Sequence, residues 1–214
     1  MNRSIRTLGL AFGAAALFSG ASASAALAAN PITISVSGTD LVINDPTGVT
    51  QATIVKTVGS SFEVEELNSA NELVEGPGVT ATVYYSANRW YIDTGSVTIT
   101  RVIVTGNAGG DLLSTAGVTN VPTTILGDAG GDTLVGGPTA SFINGGADGD
   151  VIRGGAGNDI LSGSIGSDTI KGENGDDQIN DKDGYADNVD GGNDNDTFRR
   201  DATLDTATNI ETYL

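Results

Sequence analysis

Aspartate is the residue with the most chemistry to offer in this sequence, and its spacing is regular. Asp132, Asp150, Asp159, Asp168 and Asp177 stand nine or eighteen residues apart, and Asp111, Asp187 and Asp196 extend the series at similar intervals. The chain has no His and no Cys among its 214 residues. That removes disulfides, thiolate nucleophiles, the Ser-His-Asp triad and ordinary zinc, haem or iron–sulfur ligation. Carboxylates, hydroxyls, amides and backbone carbonyls remain, and such oxygen donors suit hard cations such as Ca²⁺ and Mg²⁺. The net charge of −17 argues against nucleic acid, whose phosphates require Lys/Arg surfaces. It disfavours anionic membranes for the same reason.

The elements that must position these acids follow from a repeat. From Gly127 the chain divides into nine-residue blocks: GDAGGDTLV, GGPTASFIN, GGADGDVIR, GGAGNDILS, GSIGSDTIK and GENGDDQIN. Position one is Gly in all six. Position eight is Leu134, Ile143, Ile152, Leu161, Ile170 or Ile179, and position six is Asp except at Ser141. A ten-residue block, Asp181 to Asp190, follows with Gly184, Asp187 and Val189, and Gly191 to Arg199 returns to frame with Asp196 and Phe198. Upstream, Gly106 to Ser114 is a further copy with Asp111 and Leu113, separated from the rest by an irregular stretch containing Pro122.

A period of nine with these columns describes a flattened coil. Gly at positions one and four permits positive φ in a tight turn. Residues six to nine form a short strand whose position-eight side chain points inward. Two blocks make one coil of turn, strand, turn, strand, and coils stack about 4.8 Å apart as parallel sheets. Alternate acids then fall into two columns. One holds Asp132, Asp150, Asp168 and Asp187; the other holds Asp159, Asp177 and Asp196, with Ser141 where a fourth acid would sit. Carboxylates one coil apart repel by roughly 1 kcal/mol in water and by several at an effective dielectric near 20. A divalent cation between adjacent turns reverses that sign and makes ion binding and folding one equilibrium.

The pattern G-G-x-G-x-D-x-(aliphatic)-x, clearest in GGADGDVIR, GGAGNDILS and GSIGSDTIK, closely resembles the RTX (haemolysin-type) calcium-binding repeat. The resemblance covers residues 106–199. It implies a parallel β-roll in which Ca²⁺ is held between turns by the position-six Asp and by backbone carbonyls. That role is carried to Asp132, Asp150, Asp159, Asp168, Asp177 and Asp196, and further to Asp111 and Asp187. Pairing along the columns gives about five calcium ions. Ser141 predicts a weak or missing site beside Asp159. Thr139 and Asp148 stand where position four has Gly; Asp tolerates the required conformation and β-branched Thr does so poorly.

Residues 1–29 have the layout of a secretory signal peptide: Arg3 and Arg6, an apolar run from Leu8 to Phe18, and small residues ending in Ala26-Leu27-Ala28. The run is too short to span a bilayer. Secretion is expected, with no membrane span. Its removal leaves 27 acids against 8 bases. Many RTX proteins instead leave the cell on a C-terminal signal; this chain looks more like small exported bacterial calcium-binding proteins. Residues 30–105 alternate Val, Ile and Thr with turn residues, so they are β-rich. They either continue the solenoid or form a small β-domain on its end. Glu63, Glu65, Glu66, Glu72 and Glu75 read as a solvated acidic face. Trp90 with Tyr84, Tyr85 and Tyr91 reads as core or cap packing rather than a sugar platform. Residues 200–214 read as a closing strand or cap.

The fold class expected is therefore all-β: a parallel β-roll preceded by a β-rich segment. The function expected is a secreted, non-catalytic calcium-binding β-roll that folds on binding Ca²⁺ outside the cell. A calcium-dependent adhesin or glycan- or cell-wall-binding module is the alternative, with a cell-surface or glycan partner. An enzyme is not expected, because neither HExxH nor G-x-S-x-G occurs. A β-solenoid polysaccharide lyase with Arg89 or Arg101 as base is a weaker reading. An EF-hand does not fit Asp181-Lys182-Asp183-Gly184, where Gly comes too early and no Glu follows at loop position twelve.

Overall fold

The structure is a computed structural model that describes residues 32–37, 39–44, 52–58, 61–66, 73–75, 82–86, 89–93 and 98–214. The expected signal peptide lies outside the described residues, as do the side chains of Glu65, Glu66, Glu72, Glu75, Tyr84, Tyr85, Trp90 and Tyr91. No helix among the described residues is long and apolar enough to cross a membrane.

The chain begins with β1 (Ile32–Ser37), β2 (Asp40–Asn44), β3 (Ala52–Val58), β4 (Ser61–Glu66), β5 (Leu73–Glu75), β6 (Thr82–Ser86) and β7 (Arg89–Asp93). The repeat region supplies β8 (Arg101–Thr105), β9 (Leu112–Gly117), β10 (Thr123–Ala129), β11 (Thr133–Val135), β12 (Ser141–Ala147) and β13 (Val151–Ala156). It continues with β14 (Ile160–Ile165), β15 (Thr169–Asn174), β16 (Gln178–Asp181), β17 (Asn188–Asn193) and β18 (Thr197–Arg200), and the tail adds β19 (Thr206–Thr208) and β20 (Thr212–Tyr213).

Successive strands of the repeat region alternate between two sheets. One runs β20-β18-β16-β14-β12-β10-β8-β2-β1-β5, and the other runs β19-β17-β15-β13-β11-β9-β3-β4-β7-β6. From β8 and β9 onward every pairing is parallel. The all-β parallel roll expected from the period is the fold. Its register is the repeat itself: Ile125, Ile143, Leu161, Ile179 and Phe198 pair in one inward column. Leu113, Leu134, Ile152, Ile170 and Val189 form the other. All ten are buried. Each contributes about 1.5–3 kcal/mol, and each coil supplies only two. The core is one thin seam between the sheets, so the turns matter more here than in a thick-cored domain.

The turns correct one expectation. Position-one glycines do not have positive φ. Positive φ falls at positions two and four, as at Gly155 (φ 110) and Gly157 (φ 114), and non-Gly residues hold it at Asp128, Ser164, Glu173 and Asp148. Thr139 avoids the strained conformation altogether, because its block builds a different turn in which neither Gly137 nor Thr139 has positive φ.

The first strands combine both expected arrangements. β2 and β3 stack parallel on β8 and β9, which adds one more coil. Beyond that, β1 pairs antiparallel with β2, β4 with β3, and β7 with β4 and β6. Polar contacts tie the two parts together. Asn44 Oδ1 accepts from Thr105 Oγ1 at 2.5 Å and from Asn107 Nδ2 at 2.9 Å, and Arg101 is 2.5 Å from Asp40. Glu63 is buried, so it does not belong to a solvated acidic face. It lies on β4, between β3 and β7, opposite Lys56 and Tyr91 in register.

Candidate metal centre

Each position-six acid sits at the end of a turn, just before its strand enters the sheet. Because coils stack in register, these acids form two ladders. In the first, the N–H of Asp111 donates to Oδ1 of Asp132 at 2.7 Å, Asp132 to Asp150 at 2.7 Å, Asp150 to Asp168 at 2.6 Å and Asp168 to Asp187 at 2.9 Å. In the second, Ser141 N–H donates to Asp159 Oδ1 at 2.6 Å, Asp159 to Asp177 at 2.8 Å and Asp177 to Asp196 at 2.9 Å. All eight aspartates singled out from the sequence are buried, and the columns are those the period gives. Asp111, left without a clean neighbouring coil in the sequence, joins the first ladder directly.

These hydrogen bonds use one oxygen of each carboxylate. The second, Oδ2, is buried without a hydrogen-bond partner in Asp132, Asp150, Asp159, Asp168, Asp177, Asp187 and Asp196. In all of these but Asp187, whose block begins with Asp181, it turns toward the position-one glycine of its own block. A methyl group on Gly154 would lie 2.5 Å from Asp159 Oδ2 and 2.7 Å from the carbonyl oxygen of Gly172, one coil on. Gly145 faces Asp150 Oδ2 and the Gly163 carbonyl in the same way, and Gly172 faces Asp177 Oδ2 and the Gly191 carbonyl. Position one is therefore Gly for want of space: any Cβ would fill a niche lined by a bare carboxylate oxygen and a backbone carbonyl. An unpartnered buried acceptor costs on the order of 1–3 kcal/mol, more when charged. Two kinds of hard oxygen converging on one niche are what a calcium-type cation takes as ligands, so the residues fit that ion.

The electrostatics agree. Burial is the largest cause that pushes Asp150, Asp159 and Asp177 up to about 7 and Asp187 up to about 6. Asp132, Asp168 and Asp196 are raised for the same reason. The N–H on Oδ1 works the other way, and neighbouring carboxylates add to the rise: Asp168 and Asp132 around Asp150, and Asp159 and Asp196 around Asp177. A dication among these groups favours the ionised form and removes the conflict.

Ser141 breaks the second ladder with a neutral series. Thr115 Oγ1 lies 3.1 Å from Thr123 Oγ1, which lies 3.1 Å from Ser141 Oγ. Above Asp159 the column is hydroxyls satisfying one another.

Three acids of the ladders escaped the sequence reading. Asp205 Oδ1 accepts from Asp187 N–H at 3.3 Å, and Glu211 Oε2 accepts from Asp196 N–H at 2.8 Å, so the tail completes both columns. Neither stands in a glycine-marked block; the eighteen-residue step from Asp187 was a legible signal for Asp205, whereas nothing marked Glu211. Asp181 is different: it occupies position one of its block, where the six blocks before it have Gly, and that departure was a legible signal. It is buried, its Oδ1 accepts from Ser164 N–H at 3.0 Å, and its Oδ2 has no hydrogen-bond partner. Burial first, then Asp187 and Asp168, push it up to about 8.

Fold and ladders together define a parallel β-roll whose turns present stacked carboxylates. The RTX calcium-binding nonapeptide repeat family matches residues 126–161 and 154–180, in four copies. Residues 126–180 are thus RTX nonapeptide repeats, and the roll they build is a calcium-binding β-roll. No curated protein and no solved structure matches the chain.

Proposed function

We propose that this is a secreted, non-catalytic protein whose roll folds on binding Ca²⁺ outside the cell. The observation that carries the reading is the series of buried, unpartnered Oδ2 atoms, which in Asp132, Asp150, Asp159, Asp177 and Asp196 share a niche with a backbone carbonyl one coil on. Asp132, Asp150, Asp159, Asp168, Asp177, Asp187 and Asp196 act as ligands, with Asp111 at the start of the first ladder. About five ions sit between adjacent acids of the two columns. The layout of residues 1–29 supports export, and abundant extracellular calcium would fill sites with dissociation constants as weak as roughly 10⁻⁴–10⁻³ M. Calcium is the partner of the roll itself.

Circular dichroism of the purified protein with chelator and with millimolar Ca²⁺ tests the coupling. The chelated protein is expected to lose most of the β signal of the repeat region, and calcium to restore it. A spectrum equally rich in β-structure in both conditions, with no calcium uptake by calorimetry, would overturn the reading.

A further inference from the structure

Each regular step of the ladders joins two aspartates, and its niche holds one bare carboxylate oxygen and one backbone carbonyl. One step brings three aspartates together. Among the described residues, Asp168, Asp181 and Asp187 can each place a carboxylate oxygen within 4.8 Å of the others. The irregular block creates this place. Its position-one residue stands eighteen residues after Gly163, and where the blocks one coil after Gly145, Gly154 and Gly172 present a backbone carbonyl to such a glycine, this one presents the Asp181 side chain. A methyl group on Gly163 would lie 2.7 Å from Asp181 Oδ1, and it would also meet Asp168 Oδ2.

The polar surroundings are accounted for. Oδ1 of Asp168 accepts from Asp150 N–H at 2.6 Å, Oδ1 of Asp181 from Ser164 N–H at 3.0 Å, and Oδ1 of Asp187 from Asp168 N–H at 2.9 Å. Oδ2 of each is buried and has no hydrogen-bond partner. Among the described residues, no salt bridge to Lys or Arg is made by any of the three. Three carboxylates gathered with three bare oxygens repel one another when ionised, and a cation among them offsets that repulsion. Carboxylate oxygens no more than 4.8 Å apart accommodate an ion at calcium–oxygen distances of about 2.3–2.6 Å.

We infer that Asp181 turns the Asp168–Asp187 step of the first ladder into a three-carboxylate cation site that fills before the two-carboxylate steps. The inference rests on the calcium reading above and adds a hierarchy to it, because ligand charge count tunes the affinity of such sites. The extra negative charge also makes this the preferred position for a trivalent lanthanide.

Calorimetric titration of the chelator-treated protein with Ca²⁺, followed in parallel by circular dichroism and repeated with Tb³⁺, tests it. The parent protein is expected to take up one ion at least tenfold more tightly than the rest. Asp181→Gly restores the residue that the regular blocks carry. Asp181→Asn keeps volume and the acceptor for Ser164 N–H. Both are expected to lose the tight step while the weaker sites and the β signal at saturating calcium persist. Retention of the tight step in both variants, or a single class of sites in the parent, overturns the inference. So does loss of every step together in both variants, which would make Asp181 a requirement of the fold instead. Absence of any calcium uptake by the parent removes the calcium reading itself, a result distinct from those.

Discussion

Replacing Asp177 with asparagine separates the two roles of a ladder carboxylate, because the change has opposite signs with and without calcium. Asp177 Oδ1 accepts from Asp159 N–H at 2.8 Å, a bond an amide oxygen can keep. Its Oδ2 has no partner and faces the niche of Gly172 and the Gly191 carbonyl, where an amide nitrogen can donate. Burial raises this carboxyl from 3.8 to about 7. A shift of about three units corresponds to about 4 kcal/mol, and screening at the edge of a narrow roll reduces it to roughly 2 kcal/mol. A folded-state value above the unfolded one means the acid costs nothing below about 3.8 and its full amount above about 7. In chelator at about pH 8, Asp177→Asn is therefore expected to stabilise the roll by roughly 2 kcal/mol, and the gain should shrink near pH 5. In saturating calcium the same variant has lost a charged ligand. Even changes one shell further out weaken metal sites about 10–100-fold, so a loss of at least about 1.4–2.8 kcal/mol is expected. Urea unfolding followed by circular dichroism reads both, with the exposed Asp128→Asn as a control that moves neither. Destabilisation in chelator at pH 8 equal to that in calcium would refute the reasoning.

The same shifts predict that the chelated protein is best folded near pH 4 and loses β-structure as pH rises toward 8, while calcium protects the alkaline end; a pH series of spectra with and without chelator checks this. Gly154→Ala puts a methyl group into the niche against Asp159 Oδ2 and the Gly172 carbonyl, so its calcium titration should weaken at least tenfold. Gly184→Ala, with nothing within 4 Å of the added carbon but φ +97, should cost about 1–2 kcal/mol of stability and leave the titration unchanged. Ser141→Asp extends the second ladder above Asp159 and should add one calcium to the stoichiometry measured by calorimetry, while destabilising the chelated protein.

What the sequence makes legible is whatever repeats. A column of aliphatic residues at position eight can only be the seam, and acids eighteen residues apart must stack once a coil takes eighteen, so both ladders and the break at Ser141 follow from counting. The glycines were harder. Position one reads as a turn residue because Gly usually marks positive φ, yet here the limit is the space beside a carboxylate one turn along the same block. Residues such as Asp128, Ser164 and Glu173 hold positive φ without advertising it. Asp205 keeps the eighteen-residue step from Asp187, but Glu211 stands only fifteen residues after Asp196 and joins its ladder because β20 adds to the stack off the period. Its place depends on register, which a residue outside a repeat does not encode locally. The antiparallel strands of the first hundred residues share the Val/Ile/Thr pattern of parallel ones, and strand pattern alone does not fix direction.

The roll ends on very short strands: three residues in β19 and two in β20, with Arg200 lying 4.2 Å over the Tyr213 ring. A pile of parallel strands is by nature extendable, since its last rung offers the same unpaired backbone groups as every rung before it. Stubs of this length give an incoming chain little to zip onto, and the antiparallel strands at the opposite pole carry a different register. The stack thus presents a long row of near-repeating turns along its length while its shortest strands offer few backbone groups for pairing.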